Sequence, residues 1–247
     1  MNYNERNRHK RDALIQFDCD QHQYIHNGHI FKSVTTIVDE CFKQFDADYW
    51  ARKKAPSLGM TPQQVKDMWN RKGEISRNLG TQMHTKIEHY YLGTPHHLDD
   101  QDGTDRLFAL FTKNHTLHPY RTEWAIFDEE SRVAGTLDFL DYQNGKFSIY
   151  DWKRSNKVVD RNGIPEKANR WGDHAYAPIA HIVDTTFWHY ALQVSIYRYI
   201  LEKNYGIQVS DNHLAVFHPD YDRPHVVDTP YLKDEVISVL NERKSEF

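Results

Sequence analysis

The chain has 247 residues, 39% of them hydrophobic and 27% charged, the composition of an ordinary globular protein with room for one large domain or two small ones. No apolar run approaches the length of a membrane span, and with only Cys19 and Cys41 neither a disulfide framework nor a four-cysteine cluster is available. A formal net charge of −4 gives no overall attraction to nucleic acid, which counts against a nonspecific coating protein but not against an enzyme with acids around a metal and basic residues along one groove.

Residues 1–12 are polar and lack the apolar core of a secretory signal, so they are expected to form a flexible arm and the chain to reside in the cytoplasm. Leu14 to Ile30 reads as a hairpin turning at Asn27-Gly28. Ser33 can cap a short helix reaching about Phe42, and a second helix from Asp46 to Ala55 is expected to end at Pro56 and Gly59. Thr61-Pro62-Gln63-Gln64 is a helix start, with Thr as cap, Pro in the first turn and Gln at the capping-box position. The helical pattern then runs to Leu92-Gly93, with a break expected near Gly73 or Asn78. Leu79, Met83, Ile87 and Tyr90 supply its core stripe. Gly80, His84 and Glu88 follow one another at four-residue intervals on an adjacent face, so His84 and Glu88 can reach the same object. By itself such a His–Glu pair is more often a surface contact.

After a polar loop over 94–103 and a helix from Thr104 to Leu117, Tyr120 to Phe127 reads as a strand. From the residues alone its Glu123 can be an exposed partner of Arg121 or Arg132. Val133–Tyr142 and Lys146–Tyr150 alternate as strands around Asn144-Gly145, the strongest short-range hairpin signal. Asp138 lies in the first strand and Asp151-Trp152-Lys153-Arg154-Ser155 ends the second. Asp151 and Lys153 project from one side, and antiparallel pairing lets Asp138 and Asp151 converge. Two convergent carboxylates repel unless a cation lies between them, and the hard ions Mg²⁺ and Mn²⁺ prefer such oxygen ligands. Lys153 could there orient or deprotonate a water. Residues 154–184 show little periodicity and read either as a flap with stacking aromatics or as a packed insertion. Thr185 to Asn204 is a strong helix on which Gln193 and Tyr197 share a face. A strand over Val209–His218, an edge strand over Pro224–Val227 and a helix over Tyr231–Arg243 complete the pattern.

Five features stand in one order: Ser33-Val-Thr-Thr, Gly80-Thr-x-x-His84-x-x-x-Glu88, Gly135-x-x-Asp138, Asp151-Trp-Lys153-x-Ser155 and Gln193-x-x-x-Tyr197. Across roughly residues 30–200 the chain resembles the PD-(D/E)xK nuclease superfamily, in its RecB-type branch with the phage and mitochondrial genome-maintenance exonucleases. The resemblance implies an α/β fold with a restriction-endonuclease-like core, a mixed sheet with an antiparallel meander flanked by helices, and an N-terminal helical region. It implies a single nuclease domain over 1–247, with a hairpin and helices over 13–103, the core over 104–218 and a C-terminal strand and helix over 219–247.

The activity implied is that of a DNA exonuclease using Mg²⁺ or Mn²⁺ on single-stranded or free-ended DNA, in replication, repair or recombination, in a bacterium or a phage-infected cell. His84, Asp138, Asp151 and the Trp152 carbonyl would hold the metal, and Lys153 would position the attacking water. Glu88 and Glu123 would be further ligands, Glu123 ranking below the two aspartates. Gln193, Tyr197, Arg154 and Ser155 would contact the strand. The missing cysteines place the chain with cluster-free relatives. An endonuclease on the same core would need a base-reading element in the major groove, and none is apparent. A non-catalytic nucleic-acid module would not need two carboxylates beside a phosphate.

Overall fold

The computed structural model describes residues 2–18, 21 and 23–245, leaving Cys19 outside the described residues. Strands β4 (Pro119–Asp128), β5 (Val133–Gln143) and β6 (Lys146–Lys153) make an antiparallel meander. The β5–β6 turn is Asn144-Gly145, at φ 53° and 79°, the paired left-handed conformation of the tightest hairpins. Helix α6 (Thr186–Ile200) carries the chain over the sheet to β7 (Val209–Val216), which runs parallel to β6, and β8 (His225–Asp228) returns antiparallel. At the other end β1 (Gln16–Asp18), β2 (Gln23–His26) and β3 (His29–Ser33) form an antiparallel extension, with Asn27-Gly28 at the second turn. β3 joins the main sheet by running parallel to the first residues of β5. The result is a mixed, eight-stranded, open sheet.

Helices flank this sheet because its strands bury apolar side chains on both sides. On β7 and the residue after it, Leu214 and Val216 belong to the larger core while Ala215 and Phe217 belong to the smaller, the two-residue alternation of a strand buried on both faces. The larger core takes Val34 and Ile37 of α2 (Val34–Glu40), Phe187 and Val194 of α6, and Leu240 of α7 (Lys233–Lys244). The smaller takes Met83 and Ile87 of α4 (Pro62–Leu92) and Leu107 and Phe111 of α5 (Thr104–Asn114), around Trp152. This second core fixes α4 against the middle of the sheet, and α4 supplies one wall of the candidate site. Among the described residues no helix is long and apolar enough to cross a membrane.

Several sequence expectations are corrected. Residues 2–14 are not a free arm: α1 (Tyr3–Arg6) and a 3-10 turn at Lys10–Leu14 lie along β4. Asn4 bonds Thr122, Asn7 bonds the Tyr120 carbonyl, and Asp12 accepts from both Arg121 and the Trp124 indole at 2.8 Å. Helix α4 runs unbroken for 31 residues through Gly73 and Asn78. An interior glycine costs only about 1 kcal/mol, and contacts at both ends of the helix offset that. Tyr90 is 56% exposed, and Tyr91 takes its expected place against the smaller core. In α3 (Ala47–Leu58) Pro56 lies inside the helix, and Gly59, at φ 62°, ends it. The 154–184 segment buries Val158, Val159, Ala175, Ile179 and Ile182 in the larger core, so it is a packed insertion.

The docking of the N-terminal residues can be tested. Arg121 is 8% exposed, and removing its carboxylate partner leaves an uncompensated guanidinium, which costs about 3–5 kcal/mol in a buried pair. Asp12→Ala is therefore expected to lower the urea-unfolding free energy by about that amount, whereas an unchanged midpoint would mean that these residues are not docked.

Candidate metal centre

The hairpin register creates an electrostatic conflict. β4 and β5 pair Thr122 with Phe139 and Trp124 with Leu137, which sets Glu123 directly opposite Asp138. Like charges facing each other on a ladder are destabilising. Glu123 also has φ 44°, a left-handed conformation uncommon for a residue with a side chain and costing of order 1–3 kcal/mol. Its Oε1 is buried without a hydrogen bond.

Helix α4 brings a third group to this point. His84 Nδ1 lies 3.5 Å from Glu123 Oε1 and 3.6 Å from Asp138 Oδ1. The outer atoms are engaged: His84 Nε2 is 3.0 Å from the Trp152 carbonyl, and Asp138 Oδ2 accepts from the Trp152 amide at 2.7 Å. With Nε2–H donated to that carbonyl, Nδ1 faces the carboxylates. One donor atom from each of His84, Glu123 and Asp138 lies within 4.8 Å of the others. Inner atoms that converge while outer atoms are held by backbone groups are the arrangement of a ligand set with its supporting shell. One nitrogen and carboxylate oxygens suit Mn²⁺, and Mg²⁺ less readily. The orphaned Glu123 oxygen fits a cation as its partner.

Without an ion, the proton on His84 is the cation of the cluster. Burial lowers the imidazole pKa, but the Asp138 charge and the Glu123 contact outweigh it and raise it to about 9. Burial raises the Asp138 carboxyl as well.

A second charged group sits beside the first. Lys153 Nζ is 2.5 Å from Asp151 Oδ2, 4.3 Å above the Tyr190 ring, and donates to Gln193 Oε1 at 3.4 Å. Gln193 Nε2 in turn donates to the Tyr197 hydroxyl at 3.2 Å. Burial raises the Asp151 carboxyl, against the pull of the Lys153 ammonium beside it. Burial would lower Lys153, but the charges of Asp151 and Asp138 more than reverse that and hold the ammonium protonated. Tyr197 reaches this position over Gly135, where a Cβ would lie only 2.7 Å from its ring.

His84, Glu123, Asp138, Lys153, Gln193 and Tyr197 thus face one cleft of about 550 Å³. Gly80 opens onto it with nothing within 4 Å of where a Cβ would stand. Of the other expected ligands, Asp151 turns Oδ2 to Lys153, keeps Oδ1 buried without a hydrogen bond beside the cluster, and stands outside the His–Glu–Asp group. The Trp152 carbonyl is taken by His84. Glu88, one turn further along α4, is outside both the group and the cleft. Arg154 pairs with Asp102 at 2.5 Å, and together with Ser155 it lines a neighbouring cavity.

Glu123, expected to rank behind the aspartates, is a full member, and Arg121, one of its two expected partners, pairs with Asp12 instead. A usable signal was present, because a tight turn after Asp128 pairs Asp128 with Val133 and so fixes Glu123 against Asp138. Tyr190, one turn before Gln193, and Tyr24, whose hydroxyl meets Thr136 at 2.9 Å at the cleft wall, were not anticipated.

No family model matches the chain, and no curated protein matches it. Among solved structures, one described as "Crystal structure of SSO0001" is similar at 14% identity over 87% of this chain and 75% of that chain, with a TM-score of 0.32. A likeness at that score carries no argument about fold or function.

Two outcomes are expected. An ion ligated by His84 must displace its proton, so Mn²⁺ affinity should rise about tenfold per pH unit to about 9 and then level off, with close to one proton released per ion at pH 7. Calorimetry in buffers of different ionisation enthalpy measures this, and binding without pH dependence would remove Nδ1 from the ligand set. Separately, Gly135→Ala should displace the Tyr197 ring and loosen Gln193 and Lys153 while sparing metal affinity. Unchanged tyrosine fluorescence and proton chemical shifts would contradict that coupling.

Proposed function

We propose that this protein is a metal-dependent nuclease that hydrolyses DNA phosphodiesters, with a PD-(D/E)xK core of the RecB type, acting on single-stranded or free-ended DNA. The observation that carries the reading is Glu123 held opposite Asp138 with His84 between them, next to the Lys153–Asp151 ion pair. Acids that need a divalent cation and a fixed ammonium in one cleft suit a substrate whose reacting group is an anionic phosphate.

In this reading His84, Glu123 and Asp138 hold Mg²⁺ or Mn²⁺. A bound ion supplies polarisation of the phosphoryl oxygen and a more acidic water. Lys153, paired with Asp151, would serve as a positive charge and hydrogen-bond donor toward the phosphate or its attacking water. Asp151 and Gln193 set the direction of its ammonium, and Tyr197 holds Gln193. Asp151 is thus a positioning residue. Trp152 orients His84 through its carbonyl and Asp138 through its amide.

Asp138→Ala and Lys153→Ala should each reduce cleavage of linear DNA by orders of magnitude. Metal affinity should fall in Asp138→Ala and in Glu123→Ala, yet stay close to wild type in Lys153→Ala. Asp151→Asn should keep the ion but lose rate, because Lys153 loses its counter-charge. Nuclease assays paired with Mn²⁺ titration separate these cases, and full activity in either alanine variant would overturn the assignment. Covalently closed circles should resist an enzyme that needs a free end, so rapid nicking of circles would replace the exonuclease reading with an endonuclease.

A further inference from the structure

A second cavity, of about 800 Å³, adjoins the catalytic cleft. The two share their walls. On α4, Trp69, Lys72 and Ser76 face the second cavity, while Gly80 and His84 face the first. These positions recur at three- and four-residue spacing and so make one stripe of the helix, about 22 Å long at 1.5 Å per residue. On α6, Thr186 and Tyr190 face the second cavity and Gln193 and Tyr197 the first, again a single stripe. The chain leaving β6 passes from Lys153 in the first to Arg154 and Lys157 in the second. The two cavities therefore follow one another along α4, α6 and the chain leaving β6, with the carboxylate cluster in the first.

The chemistry changes along the groove. At the cluster the free groups are acids. In the second cavity Lys72 and Lys157 have no acidic partner among the described residues. Arg154 is anchored through Nε to Asp102, and its terminal nitrogens make no hydrogen bond there. Its acid, Asp220, is engaged by Asn156 and lies 3.4 Å from His218. The rings of Trp69 and Tyr190 stand among these cations. Basic groups that lack partners, interleaved with aromatic faces, suit a polynucleotide single strand, whose phosphates need cations and whose bases stack.

We propose that Lys72, Arg154 and Lys157 form a phosphate-binding chamber for the single strand whose scissile bond lies at His84, Glu123 and Asp138. This rests on the nuclease reading of that cluster, and it adds where the strand runs: between α4 and α6, toward the 154–157 segment.

The test is binding of a short fluorescent oligothymidylate in Ca²⁺, measured by anisotropy across a salt series, to wild type, to Lys72→Ala/Lys157→Ala and to the control Lys146→Ala. Lys72 and Lys157 are exposed, so their removal should leave the fold intact. The double variant should bind about tenfold more weakly at low salt, with the slope of log K against log salt shallower by about 1.4 for two lost contacts. The control should match wild type. Equal affinity and slope in the double variant and wild type would overturn the chamber. Oligonucleotides with and without a terminal phosphate distinguish the source of the anion. A gain from the terminal phosphate that vanishes in the double variant assigns the chamber to a strand end, and an equal loss for both forms assigns it to an internal phosphodiester. Hydrolysis of a small chromogenic phosphodiester by wild-type protein with Mn²⁺ tests the nuclease reading separately, since such a diester has no second phosphate to reach the chamber. Its absence, together with a variant-sensitive salt slope, would remove catalysis and leave strand binding.

Discussion

Glu123 and Asp138 face each other across two paired strands, Glu123 half-buried in a left-handed backbone conformation and Asp138 buried. Repulsion of this kind is tolerated only when a cation is shared, and His84 is the group placed to supply it or to yield its place to a metal. Much of the fold serves that contact. The smaller core presses α4 onto the sheet through Met83 and Ile87, which sets His84 one residue along from a buried side chain. The Trp152 backbone then fixes both the imidazole and Asp138, while its ring fills the same core.

A second balance of charge lies alongside. Asp151 is fully buried, and a buried carboxylate without a partner would be strongly disfavoured. Lys153 supplies that partner, and its own burial is offset by the same pairing. The outcome is a cluster with net negative character next to an ammonium with a fixed direction. One acid pair faces His84, and Asp151 gives one oxygen to the lysine and keeps the other buried without a hydrogen bond. Gln193, Tyr197 and Gly135 form a packed support whose tolerance is small, because the tyrosine ring occupies the space a Cβ at Gly135 would need.

Much of this was legible in the sequence because it rests on short-range chemistry. The two Asn-Gly turns, the Thr61 capping box and the alternation through β5 and β6 place the meander and α4. The four-residue spacing of Gly80 and His84, and of Gln193 and Tyr197, places those side chains on the faces that meet. What was misjudged depends on long-range partners. Asp138 and Asp151 lie close enough to act on each other, as adjacent antiparallel strands allow, but whether a carboxylate oxygen turns to a metal site or to a nearby lysine is a choice of rotamer that spacing does not determine. Glu88 shares a helix stripe with His84, yet it lies outside both the His–Glu–Asp group and the cleft. The docking of residues 2–14 depends on Asp12 meeting Arg121 and Trp124, more than a hundred residues away in sequence. The polar character of that segment gave no sign of it.

The central claim is that a divalent ion belongs among His84, Glu123 and Asp138. Anomalous diffraction from crystals grown with Mn²⁺ addresses it most directly. The expected result is a peak bonded to His84 Nδ1 and to one oxygen each of Glu123 and Asp138, with Lys153 still paired to Asp151. A peak bonded instead to Asp151 and the Trp152 carbonyl, or no ion in the cleft at saturating Mn²⁺, would contradict it.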